Sequence, residues 1–248
     1  MGENTAIRSE ENKKEVEVID FHSHILPNID DGPDDIEESA AMAAVLHEAG
    51  YKTIYCTPHL MKGCFEADKN AVIGAAAVFR EKLNKEKIGM EILTGREYYL
   101  DEFLDSYLQD PLPLGETKYI MIEIPNNAAD EYVKETCFKI KRTGFIPMIA
   151  HPERCRLFAA PQKKPASFFL FSDRKPKNEN PEGKETPLLD YLKEIGCAFQ
   201  GNLGSFNDYY GPDVRHTADD FKKRGLFTHY GTDAHSLKAV NRLLPINL

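Results

Sequence analysis

Positive charge is in short supply in this sequence: 31 lysine and arginine residues stand against 40 aspartate and glutamate, a net charge of −9. That balance argues against nucleic acid as an electrostatic partner. Apolar runs are short, none approaches the length of a membrane span, and the first residues show no signal-peptide pattern, so a cytoplasmic protein without membrane insertion is expected. The five cysteines (Cys56, Cys64, Cys137, Cys155, Cys197) form no C-x-x-C pair, which suits reduced thiols rather than a disulfide framework. Nor do they support cysteine phosphatase chemistry, which needs a thiolate with an arginine six positions later. The residues at that spacing are Lys62, Asn70, Thr143, Pro161 and Leu203. G-x-S-x-G, G-x-G-x-x-G and Walker A segments are missing too, and Ser23 and Ser236 are small neighbours of histidines, not nucleophiles.

What the chain does have is an alternation of short apolar runs with helical segments. Its 248 residues, 42% hydrophobic, fit one large domain. Strands are predicted at Val16–Ile19, Tyr51–Cys56, Met90–Thr94, Tyr119–Ile124, Phe145–Ile149, Cys197–Gln200 and Phe227–Tyr230. Helices are predicted between them, from Asp34 or Asp35 to Ala49, at Ala67–Lys87, Asp101–Leu108, Asp130–Arg142, Leu188–Ile195 and Ala218–Arg224. Seven strands alternating with helices imply parallel βαβ units closed into a distorted (β/α)7 TIM-like barrel. Residues 1–15 are polar and expected to be disordered, and residues 16–248 form the barrel domain. The rhythm breaks at 161–187, a proline- and lysine-rich insertion carrying Phe168-Phe169-Leu170-Phe171. A surface insertion tacked down by these phenylalanines is the preferred reading; a basic docking arm is the alternative.

In a parallel barrel, chemistry gathers at the C-terminal ends of the strands. Candidate ligands fall there in series: His22 and His24, His59, Glu97, Glu123, His151, Asp233 and His235. His22 and His24, one residue apart on an extended segment, point to the same side and can grip one cation, with Asp20 as a further ligand or as an orienting group. His47, His216 and His229 lie on helix or strand bodies and read as structural or solvated. Imidazoles and carboxylates packed together without thiolates suit two or three divalent cations, manganese, iron or zinc, with Glu97 as a candidate bridge. Clustered cations lower the pKa of a water and clamp both oxygens of an in-line displacement, which is phosphate ester chemistry. Arg154, three residues past His151, can reach a phosphate bidentately.

The segments Asp20-x-His22-x-His24, Thr57-Pro58-His59, Gly95-x-Glu97, Ile122-Glu123, His151-Pro152-Glu153-Arg154 and Asp233-Ala234-His235 resemble the motif series of the PHP (polymerase and histidinol phosphatase) superfamily. With the Asp30-Asp31-Gly32 turn, they look most like the bacterial protein-tyrosine phosphatases of capsule and exopolysaccharide operons. The resemblance implies a trinuclear, manganese-dependent centre. One cation would be held by His22, His24, Glu97 and Asp233, a second by Glu97, His59 and His151, and a third by Asp31, Glu123 and His235. It implies Arg154, Asp233 and His235 as catalytic residues, Arg154 on the phosphate, and phosphotyrosine on the tail of a bacterial tyrosine kinase as substrate. A small-molecule phosphatase acting on histidinol phosphate and an inactive metal-binding regulatory module are the alternatives. Three departures stand out. Arg96 replaces a small residue and is expected either to add a phosphate contact or to crowd the site. The insertion after the His-Pro-Glu-Arg block is long. The tail after His235 is short, so an incomplete closing helix is expected.

Overall fold

The computed structural model describes residues 18–158 and 186–244. Strand β1 (Val18–Ser23) leads into helix α1 (Ile36–Glu48), whose first turn is capped by the Asp35 carboxylate accepting from Glu38 N at 2.8 Å. Strand β2 (Tyr51–Cys56) lies parallel to β1. Pro58 has no N–H to donate to a ladder, and this second strand path breaks there and resumes as β3 (His59–Leu60). Helix α2 (Lys69–Glu86) follows, and the third path is also split, into β4 (Glu91–Thr94) and β5 (Glu97–Tyr99). The two breaks lie side by side, because β2 pairs with β4 and β3 with β5.

Beyond them come α3 (Leu104–Tyr107), β6 (Tyr119–Glu123), α4 (Asp130–Arg142) and β7 (Ile146–Ala150). The last third contains α5 (Pro187–Glu194), β8 (Ala198–Asn202), α6 (Pro212–Lys223), β9 (His229–Gly231) and α7 (Leu237–Leu243). From β5 to β9 each strand pairs in parallel with the next. With each split path taken once, seven strands run in sequential order. The circle closes where the end of β9 meets β1: Asp233 N donates to His22 O at 2.7 Å and His24 N donates to Ala234 O at 3.1 Å. Buried Asp20 fastens the same seam, accepting from Thr232 N at 2.8 Å and Thr232 Oγ1 at 2.6 Å. The distorted (β/α)7 barrel expected from the sequence is the fold.

Apolar periodicity explains how the layers pack. On α4, Val133, Thr136, Cys137 and Ile140 share one face and are the buried residues of that helix. Strand residues Ile120, Ile122 and Ile149 point outward to the same helical layer. The alternate residues Met121, Met148 and Ala198 join Tyr55 and Leu114 in a cluster without helix residues, the filling of the barrel interior. Glu123, two positions after Met121, therefore points to the barrel mouth.

Several boundaries differ from expectation. Strand β1 continues through His22, with a register irregularity between Asp20 and Ser23. Helix α6 starts at Pro212 rather than Ala218, because proline's fixed φ suits the first helical turn. Pro187, expected as the last residue of the insertion, opens α5 behind the Thr186 cap. Residues 161–185 of the insertion and residues 1–15 lie outside the described residues. The short tail still makes a seated helix: in α7, Ala239, Val240 and Leu243 are buried, Ser236 caps its start, and Leu237 N donates to Glu38 Oε1 at 3.0 Å.

Candidate metal centre

The series of histidines and acids converges at the mouth of the barrel. His22, His24, Glu97 and Asp233, all buried, bring one ligand atom each within 4.8 Å of the others. Glu97 is the hub. Its Oε2 lies 3.2 Å from both His22 Nε2 and His24 Nε2 and 3.1 Å from His59 Nδ1, while its Oε1 lies 3.0 Å from His151 Nε2. Asp233 Oδ1 stands 3.4 Å and 3.3 Å from the same two imidazole nitrogens of His22 and His24. The first expected ligand set is thus one spatial group.

The other two sets are redistributed. Asp31 and His235 group with His24 and His59, not with Glu123. Glu123 groups with His59 and Glu97, because β6 lies against β5 with Glu123 opposite Tyr99, whereas Asp31 and His235 follow β1 and β9 on the seam side. His151 meets Glu97 through a single contact. Arg96 is held elsewhere than beside the ligands. It is buried, its guanidinium donates to the carbonyls of His59 (3.2 Å) and Ala67 (2.6 Å), and it lines a separate cavity with Tyr107 and Lys69. At the break between β4 and β5 its guanidinium is taken by these two carbonyls, so it braces the β3–α2 loop.

Three histidines are held in defined tautomers. The Gln200 amide nitrogen donates to Gly201 O, so Oε1 is its acceptor, taking His22 Nδ1–H at 2.8 Å and His151 N–H at 3.2 Å. His24 Nδ1–H donates to Asp30 Oδ2 at 2.6 Å, and His235 Nδ1–H donates to Asp233 O at 2.9 Å. The Nε2 lone pairs of His22 and His24 then face each other at 3.1 Å beside two carboxylates. Glu97 Oε2 and His59 Nδ1 are buried without a hydrogen-bond partner. Such an arrangement is costly unless a proton or a cation sits within it, so the donor set fits divalent metals with mixed N and O ligands.

The same crowding shifts ionisation. Burial opposes a charge on His22, yet Glu97 and Asp233 overcome it and raise its pKa to about 9; His24 is raised for the same kind of reason by Asp30 and Asp233. Burial also works against Glu97 and Asp233, but the surrounding histidines hold both well below the carboxylate range. Glu123 goes the other way, to about 8, through burial and repulsion by Glu97. His151 falls to about 4, through burial and the charge of Arg154.

Two of these residues sit on strained backbone. His151 (φ 30°) and Asp233 (φ 51°) occupy the left-handed region that ordinary side chains avoid. Each follows directly on a strand or its closing turn, and the reversal aims its side chain back over the mouth. Around them lie residues that motif reading missed. Asn202 Nδ2 donates to Asp233 Oδ2 at 2.8 Å, Arg154 donates to the same oxygen at 2.5 Å, and the Arg154 guanidinium lies 4.4 Å over the Tyr210 ring. Buried Glu153 accepts from Asn202 N and Ser205 Oγ. The available signal for Gln200 and Asn202 was polarity at the end of an apolar strand; for Tyr210 there was none.

Comparison with known proteins places this geometry. Residues 18–164 match the family described as capsular polysaccharide synthesis, CpsB/CapC. The tyrosine-protein phosphatase YwqE of Bacillus subtilis (strain 168) is 32% identical over 226 residues, 90% of this chain and 80% of YwqE. The tyrosine-protein phosphatase CpsB of Streptococcus agalactiae is 30% identical over 139 residues, 55% of this chain and 57% of that protein. A solved chain from the study of YwqE and of CpsB from Streptococcus pneumoniae, described as unique metal-dependent tyrosine phosphatases, superposes with a TM-score of 0.74 at 29% identity, covering 92% of this chain and 85% of that one.

Proposed function

The chain belongs to the CpsB/CapC family of capsular polysaccharide synthesis, and from that premise we propose that it is a metal-dependent protein-tyrosine phosphatase, a phosphoric monoester hydrolase. The observation that carries the reading is Glu97 Oε2, buried without a hydrogen-bond donor and ringed by three imidazole nitrogens at 3.1 to 3.2 Å. His22, His24, Glu97 and Asp233 would hold one divalent cation. His59 and Glu97, with Glu123 and His151 at their flanks, would hold a second, and Asp31 and His235 would serve a third beside His24 and His59. Manganese suits this set of imidazoles and carboxylates, with iron and zinc as alternatives. When bound, such cations lower the pKa of water and withdraw charge from phosphoryl oxygens.

The chain's own residues supply the rest. Arg154 is partly exposed at the mouth, and its charge is stabilised against burial by Asp233, which raises its pKa further. Exchanging Asp233 for a phosphate lets two of its N–H groups meet two oxygens of the ester. Asp233 and His235 border that position, with His235 Nε2 facing Asp31 at 3.4 Å. A tyrosine phenolate, pKa about 10, leaves without a dedicated acid. The substrate would be a phosphotyrosine protein, the tail of a bacterial tyrosine kinase, met in the cytoplasm; no helix among the described residues is long and apolar enough to cross a membrane.

Hydrolysis of a phosphotyrosine peptide and of histidinol phosphate, each with manganese and with chelator, tests this. Manganese-dependent release from the peptide is expected, with Arg154→Lys raising KM about tenfold through loss of the bidentate grip. Turnover of histidinol phosphate alone would replace the reading with a small-molecule phosphatase. Absence of metal-dependent turnover of both would leave a regulatory module.

A further inference from the structure

A cavity of about 320 Å³ opens beside the metal centre, with Asp233 and His235 in its lining. That lining combines Arg154, Asp233 and His235 with an apolar part, Tyr209, Tyr210 and Leu243. The volume is at the small end of the range for ligand sites, room for one side chain rather than a large cofactor.

The apolar part is built, not incidental. A Cβ on Gly204 would lie 3.1 Å from both Leu243 Cδ2 and Tyr210 Cε2, so these two side chains pack closely against a bare glycine. Tyr210 is tethered at its polar end, its hydroxyl accepting from Asn202 Nδ2 at 3.1 Å and lying 3.5 Å from Asp233 Oδ2. Its ring carries the Arg154 guanidinium at 4.4 Å. Tyr209 meets Tyr210 edge to face at 4.9 Å, and the Arg242 guanidinium covers Tyr209 at 4.5 Å. The group that grips phosphate and the apolar wall are therefore joined through one residue, Tyr210.

We infer that this apolar part is an aryl slot that selects the ring of the phosphate ester, with Tyr209 and Leu243 as its specificity-determining walls and Tyr210 as the positioning residue linking slot to phosphate. The inference rests on the phosphatase reading above. An ester whose phosphate sits at Arg154 places the atoms next to the ester oxygen among these side chains. A flat ring fills the space and meets the tyrosines in offset or edge contacts. A short alkyl chain leaves the wall bare.

Binding of benzylphosphonate and propylphosphonate, neither of which has an ester bond to cleave, isolates ring recognition from leaving-group chemistry. Calorimetry on the manganese-loaded protein is expected to show benzylphosphonate binding about tenfold more tightly. Tyr209→Ala and Leu243→Ala should each bring the ratio to about twofold, mainly by weakening the benzyl ligand, while Leu243→Met should keep it. Metal content and melting temperature are recorded for each variant; should Leu243→Ala fail to fold, Tyr209→Ala decides. A ring preference absent from the wild type, or unchanged in Tyr209→Ala, overturns the slot. Loss of the phosphatase reading shows instead as absent metal-dependent turnover, which the binding ratio does not measure.

Discussion

Replacing Gly231 by alanine should open the barrel at its seam and damage the metal centre together. A Cβ at this position would lie 2.5 Å from His22 Cβ and 2.6 Å from His22 N, atoms fixed by the neighbouring strand that no rotamer change can move. Ordinary contact begins at 3.4 Å, so β1 and β9 must part by about 0.9 Å. That displacement strains Asp233 N to His22 O at 2.7 Å and Thr232 N to Asp20 Oδ1 at 2.8 Å, the bonds that close the circle. Overpacking costs about 1–3 kcal/mol and a weakened hydrogen bond about 1 kcal/mol, together roughly 2–4 kcal/mol. For a domain of this size the melting temperature should fall by roughly 5–15 °C. Because His22 itself moves and Asp233 lies two residues on, turnover should drop by about a hundredfold, the effect of a shift near 1 Å in catalytic groups. Thermal melting, metal analysis and phosphotyrosine hydrolysis measure all three. Gly74, in α2, is the control: a Cβ there meets open space, so Gly74→Ala should stabilise by about 0.5–1 kcal/mol. A Gly231→Ala protein with normal melting, full metal and full activity would refute the reasoning.

Three further outcomes follow from single contacts. Gln200→Leu removes the acceptor that holds His22 in its tautomer and should weaken metal binding by about 10–100-fold with the fold kept, read by competition with a chelating dye. Arg96→Met deprives the carbonyls of His59 and Ala67 of their buried donor and should cost about 1–3 kcal/mol. The apparent affinity for phosphate should not change; a rise in KM without loss of stability would restore Arg96 to the phosphate. Metal loading at pH 7.5 should release protons: the metal-free protein keeps His22 charged below about pH 9, whereas a ligating imidazole must be neutral. Calorimetry in buffers of different ionisation enthalpy counts them, and a heat independent of buffer would count against the assignment.

Much of this molecule was legible because its signals are local. Acidic residues in the first turn, one apolar face and Gly144 beyond the end delimit α4, and it runs over the predicted residues, Asp130–Arg142. His22 and His24 share a side because the extended chain repeats every two residues, and the seven strand paths follow from apolar runs punctuated by glycine and proline. What stayed hidden depends on neighbours that the chain does not name. Nothing in the sequence around Glu123 reports that it faces His59 and Glu97 and leaves Asp31 to His235; that follows from β6 lying beside β5. Arg96 is a related case. Adjacent to Glu97 in sequence, it falls in a strand break, where its guanidinium is taken by two backbone carbonyls.

The left-handed backbone at His151 and Asp233 is the deepest case. A glycine would have advertised such a φ, but a glycine has no ligand to offer. Both residues accept a conformation that costs about 1–3 kcal/mol, and the surrounding bonds hold them there: Gln200 accepts from His151 N, and His22 O accepts from Asp233 N. Strain and ligation thus fall on the same two positions, and the residues that hold the strain, Gln200 and His22, are also in direct contact with each other at 2.8 Å. A site assembled this way ties the closure of the barrel to the placement of its ligands, which is why the seam at Gly231 is the place where a single methyl group should be felt in both.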